Sequence, residues 1–165
     1  MDSVNPGQVA SQARPLSYAG FWKRVVASFI DGLILGFASL FLIIPLAIVV
    51  GVGGASSEFE DPSMGFWAVL IGMYFMVIMI LFTLQWFYHA YMESSRGATF
   101  GKMAMGIKVT DMNGNPITFG RATGRYFAKI ISSLTFCIGY MMAGFTQQKQ
   151  ALHDIIAGCL VVNKD

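Results

Sequence analysis

Two long apolar runs, at residues 25 to 52 and 64 to 91, constrain this chain more than any other feature of its sequence. About twenty apolar residues at 1.5 Å each cross the hydrocarbon of a bilayer, so either run is long enough to span. The first is interrupted by Asp31 and Pro45, and the proline is expected to kink or end the regular helix. The second contains no Asp, Glu, Lys or Arg, and aromatics gather at its ends, with Phe66 and Trp67 at one and Trp86, Phe87, Tyr88 and Tyr91 at the other. Aromatic girdles of this kind mark the two interfaces of a membrane span. Composition agrees: 55% of the 165 residues are hydrophobic and 12% charged, whereas a soluble domain carries about 25% charged residues. The mean hydropathy is +0.60. Residues 1–17 lack the apolar core of a signal peptide and read as a flexible polar tail ahead of one membrane domain, residues 18–165.

A third apolar run, residues 126 to 145, contains Lys129, Ser132, Ser133 and Gly139. The expected fold is therefore an all-α membrane protein with spans at about residues 25–50 and 66–91, plus a third segment at 126–145 that crosses or re-enters. The re-entrant form is favoured. Two legs of about ten residues reach roughly 15 Å, half the hydrocarbon thickness, with the turn near Ser132, Ser133 or Gly139. His153 and Asp154 then return to the starting face, where Asp154 can pair with Arg24, Arg121 or Arg125. A plain third crossing is the alternative.

Charge orients the spans. Arg14, Lys23 and Arg24 precede the first, the first loop carries Glu58, Glu60 and Asp61, and the second carries Arg96, Lys102, Lys108, Arg121 and Arg125. Bases prefer cytoplasmic loops, so the N-terminus and residues 92–125 are expected inside. Within that loop, apolar residues alternate at Ile107 and Val109 and at Ile117 and Phe119, around Asn113-Gly114. This predicts a small cytoplasmic β-hairpin with Val109 opposite Ile117 and Ile107 opposite Phe119. A lone hairpin is marginal, so it is expected to lie on the membrane face or to take residues 160–162 as a third strand.

A net charge of +2 with scattered bases gives no footprint for nucleic acid. Cys137 and Cys159 stand apart from each other and from any His/Cys cluster, so neither a disulfide scaffold nor a metal site is indicated. Met73, Met76 and Met79 recur at helical intervals, but with no accompanying His or Cys they read as packing rather than as a Cu(I) site. The stretch from Gly97 to Lys102 falls one residue short of phosphate-loop spacing and lacks the following Ser or Thr. With no GxSxG, HExxH or Ser/His/Asp set, an enzyme is the least supported class and no cofactor is implied.

Asp31 most needs explaining. It follows Arg24 by seven residues, on nearly the same helix face and roughly 10 Å along the axis. Intramembrane acids face a protein interior or a wet cavity. Asp31 is thus either a titrating carboxylate on an ion or proton pathway, tuned by Arg24, or part of a buried network that fixes helix packing. Ser28, Gly32 and Gly36 form a small-residue stripe, read as a packing seam inside the fold with Gly65 and Gly72 opposite, or else as a dimer face. His89 and Glu93, one turn apart, read as an interfacial hydrogen-bonded pair before a proton shuttle or cation site.

Three motifs carry a resemblance. GFWKRVVASFID at residues 20–31, ESSRGATFGK at 93–102 continuing through GIKVTD at 106–111, and QALHDIIAGCLVV at 150–162 occur in the order found in the RDD family of bacterial membrane proteins. The resemblance implies that Arg24, Asp31 and Asp154 are the family's arginine and two aspartates, with His89, Glu93, Lys102 and Arg125 as secondary candidates from this sequence. Cys159 stands where relatives commonly carry threonine. It also implies a bacterial inner-membrane domain for which transport has been suggested. The expected function is small-molecule or ion transport through a homo-oligomer or with a membrane partner, with Asp31 as the charged site. The alternative is a non-catalytic accessory subunit of a membrane complex.

Overall fold

The computed structural model describes residues 17–56, 64–135 and 138–164. Residues 1–16 with Arg14, the acidic residues Glu58, Glu60 and Asp61, the side chain of Phe66, and Cys137 lie outside the described residues.

The apolar runs fold as two long helices, α1 (Phe21–Ser56) and α2 (Met64–Arg96), about 54 and 50 Å long. Each has a stretch apolar enough to cross a membrane, Phe21–Gly51 and Trp67–Arg96. Their outer flanks, among them Phe29, Phe37, Phe41, Phe75 and Met79, are exposed, as lipid-facing surface must be. Pro45 does not end α1, which continues to Ser56. In an apolar span no better hydrogen-bonding alternative competes with the helix, so one lost backbone bond is tolerated. α2 stops at Arg96 because Gly97 takes a φ of +71°, the left-handed turn that glycine adopts without strain.

A short helix α3 (Phe100–Ala104) leads into strand β1 (Ile107–Asp111). A two-stranded antiparallel sheet is present, but its second strand is β2 (Cys159–Asn163), with Val109 opposite Val161 and Asp111 opposite Cys159. The expected pairing of Ile107 and Val109 with Ile117 and Phe119 does not form. The turn is there: Gly114 has a φ of +86°, and Asp111 accepts from the backbone N–H groups of Asn113 and Asn115, both at 2.8 Å. Pairing then stops at a single bridge between Thr110 and Pro116, since proline has no N–H to continue a ladder. Thr118 instead caps the next helix, accepting from the Arg121 N–H at 3.3 Å. The alternation of Ile117 reported burial, not pairing. β2 is central: Ala19 N–H donates to the Val161 carbonyl at 2.9 Å on its other edge, so Cys159 to Val162 are all buried.

The third apolar segment is a bent pair of helices, α4 (Phe119–Leu134) and α5 (Ile138–Phe145), at 103° to one another. It begins seven residues earlier than the pattern suggests, which shortens the preceding loop. Gly139 permits the return: a Cβ there would lie 2.9 Å from Ser132 Cα and Cβ. A last short helix, α6 (Leu152–Ala157), packs on α4 and is capped by Gly158 at φ +59°. α1 rests on α3 and α5, and α2 rests on α4, whereas the backbones of α1 and α2 hardly approach one another. The small core under the sheet gathers Ala19, Ala27, Ala90, Ile107, Val109, Ile117, Ala122 and Val161 against Trp86.

Candidate functional site

Five buried or nearly buried side chains alternate in charge and tie five helices together. Arg24, in the first turn of α1, donates to Asp154 of α6, and also to the Lys149 carbonyl at 2.5 Å and the Ala19 carbonyl at 3.2 Å. Asp154 is completely buried; it accepts from Arg125 Nε of α4 at 2.8 Å and from the Ala151 N–H at 3.2 Å. The other end of the Arg125 guanidinium donates to Glu93 of α2 at 2.7 Å, and Lys102 of α3 completes the chain on the second Glu93 oxygen. Shared bidentate use of a guanidinium suits arginine, with its fixed fork of donors, better than lysine. Arg24 and Asp154 are therefore brought together, and Arg125, Glu93 and Lys102 join them.

Asp31 stands apart from this chain. The expected Arg24–Asp31 pairing does not occur, because Arg24 is turned to Asp154. Asp31 is 2% exposed and accepts from Thr99 Oγ1 at 2.5 Å, the Gly101 N–H at 2.8 Å and Tyr88 OH at 2.9 Å. The Phe100 N–H in turn donates to Tyr88 Oη at 3.1 Å. A carboxylate on α1 thus satisfies the Gly101 N–H in the opening turn of α3, as a cap residue would, but from another helix.

Two further expectations are corrected. His89 does not bond Glu93, whose oxygens are taken by Lys102 and Arg125; His89 Nδ1 is buried without a partner, its ring against Tyr88 and Tyr126. Nor is the small-residue stripe a seam inside the fold. Ser28 is exposed, and a Cβ at Gly32, Gly36 or Gly72 would meet nothing within 4 Å. α2 leans on α4 instead, through Phe82 and Trp86 against Phe119, Tyr126 and Phe127.

Several groups escaped the sequence reading. Tyr88 was visible only as one of the belt aromatics and Thr99 only as a loop residue. Ser132 Oγ lies 3.2 Å from His153 Nδ1, and Lys129, a base inside an apolar run, was read only as an interruption. Outside the membrane-crossing helices, the electrostatics follow from burial. Burial alone would raise the Asp154 carboxyl, but Arg125, His153 and Arg24 outweigh it and hold it well below the usual carboxylate range. Burial brings the His153 imidazole down to about 3, with Arg125 adding to the effect, so it is neutral. Burial pushes the Cys159 thiol up to about 11, which leaves it an inert packing group rather than a nucleophile. Among the described residues no group of three or more His, Cys, Asp or Glu side chains is placed to hold a metal.

Burial likewise brings the Lys102 ammonium down to about 7, against the attraction of Glu93. Between that value and the ordinary 10.5 the unfolded chain binds a proton that the folded chain does not, so stability rises with pH across this window. Lys102→Met is expected to flatten this stretch of the curve, read as the thermal midpoint in detergent from pH 7 to 10. An unchanged slope would place Lys102 in a wetter site than the structure gives it.

The sequence profile of the RDD family matches residues 18–158. Uncharacterized protein YxaI of Bacillus subtilis (strain 168) is 34% identical over 149 residues, covering 88% of this chain and 97% of that protein. Uncharacterized membrane protein YteJ of the same organism is 27% identical over 154 residues, covering 90% of this chain and 82% of that protein. The Proline-rich antigen of Mycobacterium leprae (strain TN) is 30% identical over 88 residues, covering 53% of this chain and 35% of that protein. No solved structure matches the chain.

Proposed function

The chain belongs to the RDD family, and on that premise we propose that it acts as a non-catalytic component that assembles laterally in the bacterial inner membrane, with its N-terminus and residues 92–125 on the cytoplasmic side. One observation carries this reading. The carboxylates are each engaged by two or more groups of the same chain, while the membrane helices leave an open lateral cleft. Asp31, Glu93 and Asp154 each hold two or more donors. Between α1 and α2 lies a cleft of about 500 Å³, lined by Gly32, Leu35, Gly36, Ser39, Leu84 and Gln85. Gln85 is an exposed amide within an apolar span, and no partner for it exists among the described residues. Small residues that admit a neighbouring backbone, beside an amide seeking a hydrogen bond, are the means by which membrane helices associate.

The transport reading asks more of Asp31. To bind a proton or cation it would have to do so against Tyr88, Thr99 and Gly101, which already hold three of its acceptor positions and with them the start of α3. Asp31→Asn is therefore expected to lower the thermal midpoint rather than to abolish a flux selectively. Gly36→Leu and Gln85→Leu are expected to leave expression and the midpoint intact while shifting the wild-type assembly to monomer on native electrophoresis in mild detergent. A wild type that runs as a lone monomer in native membranes extracted without detergent would overturn the assembly reading. Selective loss of flux in a fully stable Asp31→Asn protein would establish the transport one.

A further inference from the structure

The buried ion pairs do not balance. In the alternating chain, the three cations Arg24, Arg125 and Lys102 share two carboxylates, Asp154 and Glu93. Lys129 adds a fourth cation to the cluster: it interacts electrostatically with Glu93, Asp154 and Asp31, yet among the described residues no carboxylate lies within ion-pair distance of it. Its ammonium has only the Tyr126 ring, with the centroid at 5.9 Å. The third carboxylate, Asp31, is held entirely by uncharged donors. With every base protonated, four cations thus face three carboxylates, and Lys129 is the one left without a carboxylate of its own.

A second, independent feature lies beside the first. His89 presents a buried Nδ1 with no hydrogen-bond partner, and its ring lies against Tyr126, the ring that Lys129 sits over. An ammonium from α4 and an imidazole from α2 flank the same Tyr126 ring, at 5.9 and 5.8 Å from its centroid, and in the tautomer that carries its proton on Nδ1 the imidazole can donate. Lys129 is half-buried, and its helix turns an apolar face of Phe127, Ile130 and Ile131 outward. A ligand can therefore reach it from the side.

We propose that Lys129 and His89 form an anion site that takes a monoanionic phosphate-type group between α2 and α4. One negative charge supplies the partner that Lys129 lacks. Several acceptor oxygens suit two donors that arrive from different helices, whereas a halide offers only one centre. Lysine serves phosphate as a point charge, without the bidentate geometry that Arg125 supplies to its carboxylates. The group is either the headgroup of an anionic phospholipid or free inorganic phosphate, and the two sources separate by experiment.

Purified full-length protein is tested in two arms. In the first, the thermal midpoint is followed in neutral detergent as inorganic phosphate replaces chloride at constant ionic strength. In the second, the protein is reconstituted into phosphatidylglycerol or phosphatidylcholine vesicles, and retained lipid is weighed by native mass spectrometry. The wild type is expected to bind in at least one arm. Lys129→Met should weaken that binding about tenfold or more, His89→Phe should weaken it less, and Lys129→Arg should keep it. Without added anion, Lys129→Met should be at least as stable as wild type, because the unpaired cation is gone; that measurement separates lost binding from lost folding. A response to phosphate alone identifies a soluble oxyanion, and a response to phosphatidylglycerol alone identifies a headgroup. No response in either arm, or an equal response in Lys129→Met, overturns the site.

Discussion

Gly101→Ala is expected to pry α3 from α1 and to cost about 3 kcal/mol or more. A Cβ built on Gly101 would lie 2.1 Å from the Ala27 carbonyl oxygen and 2.9 Å from Asp31 Cγ. The first contact is with backbone, which cannot step aside as a flexible side chain can. The helices would have to part by the better part of an ångström, and that movement would stretch both the Gly101 N–H and the Thr99 hydroxyl away from Asp31. Asp31 would then be a buried carboxylate short of donors, which adds a desolvation penalty to the steric one. The control is Gly124→Ala in α4, where a Cβ meets nothing within 4 Å. In a helix that exchange is expected to stabilise by about 0.8–1 kcal/mol. Reversible unfolding in mixed micelles measures both. Equal midpoint shifts of the same sign would show that α3 does not seat on α1 as closely as described.

Gly101 also shows how far the residues could be read without coordinates. The two spans were legible because length and hydropathy leave an apolar run few alternatives. The bend of the third segment was legible too, because Lys129, Ser132 and Gly139 make a straight crossing costly. The return of Asp154 to Arg24 and Arg125 follows from that bend. The particular partners were harder to read. Arg24 and Asp154 lie 130 residues apart, and a charge in an apolar context announces that it needs a partner without saying which. Arg24 and Asp31 were matched on helical spacing alone, yet the donors that satisfy Asp31 are a tyrosine, a threonine and a backbone N–H, none of which carries a charge to give it away. The same limit misassigned the second strand: Ile117 is buried as its alternation suggested, but Pro116 and the capping role of Thr118 decided that it would not pair. The stripe of Gly32 and Gly36 suggested a seam inside the fold, but no neighbouring element comes within 4 Å of a Cβ at either position.

Asp154→Ala is expected to cost about 3–5 kcal/mol, the range for breaking a buried pair and leaving its partner charged. Two guanidiniums lose an acceptor at once, and the start of α6 loses the carboxylate that accepts the Ala151 N–H. The cluster would move from four cations over three carboxylates to four over two, so the change enlarges an existing imbalance. Arg24→Met in the Asp154→Ala background should therefore recover part of the loss, whereas Arg24→Met alone should destabilise; a double-mutant cycle reads that coupling directly. The pH profile gives a second reading of the same contact. Because the folded carboxyl of Asp154 is held below its ordinary 3.8, its contribution is fully present above that value and is lost as pH falls through it toward the folded value. His153 acts with the same sign over a higher window: its folded value near 3 lies below the ordinary 6.5, so stability falls as pH drops from 6.5 toward 3. In an acid titration of the thermal midpoint, Asp154→Asn should remove the part of the slope below about pH 4, and His153→Phe should remove the part above it. Additive losses in the cycle, together with an acid profile that Asp154→Asn leaves unchanged, would mean that Arg24 and Asp154 are neighbours without being partners, and that the five helices are joined by packing alone.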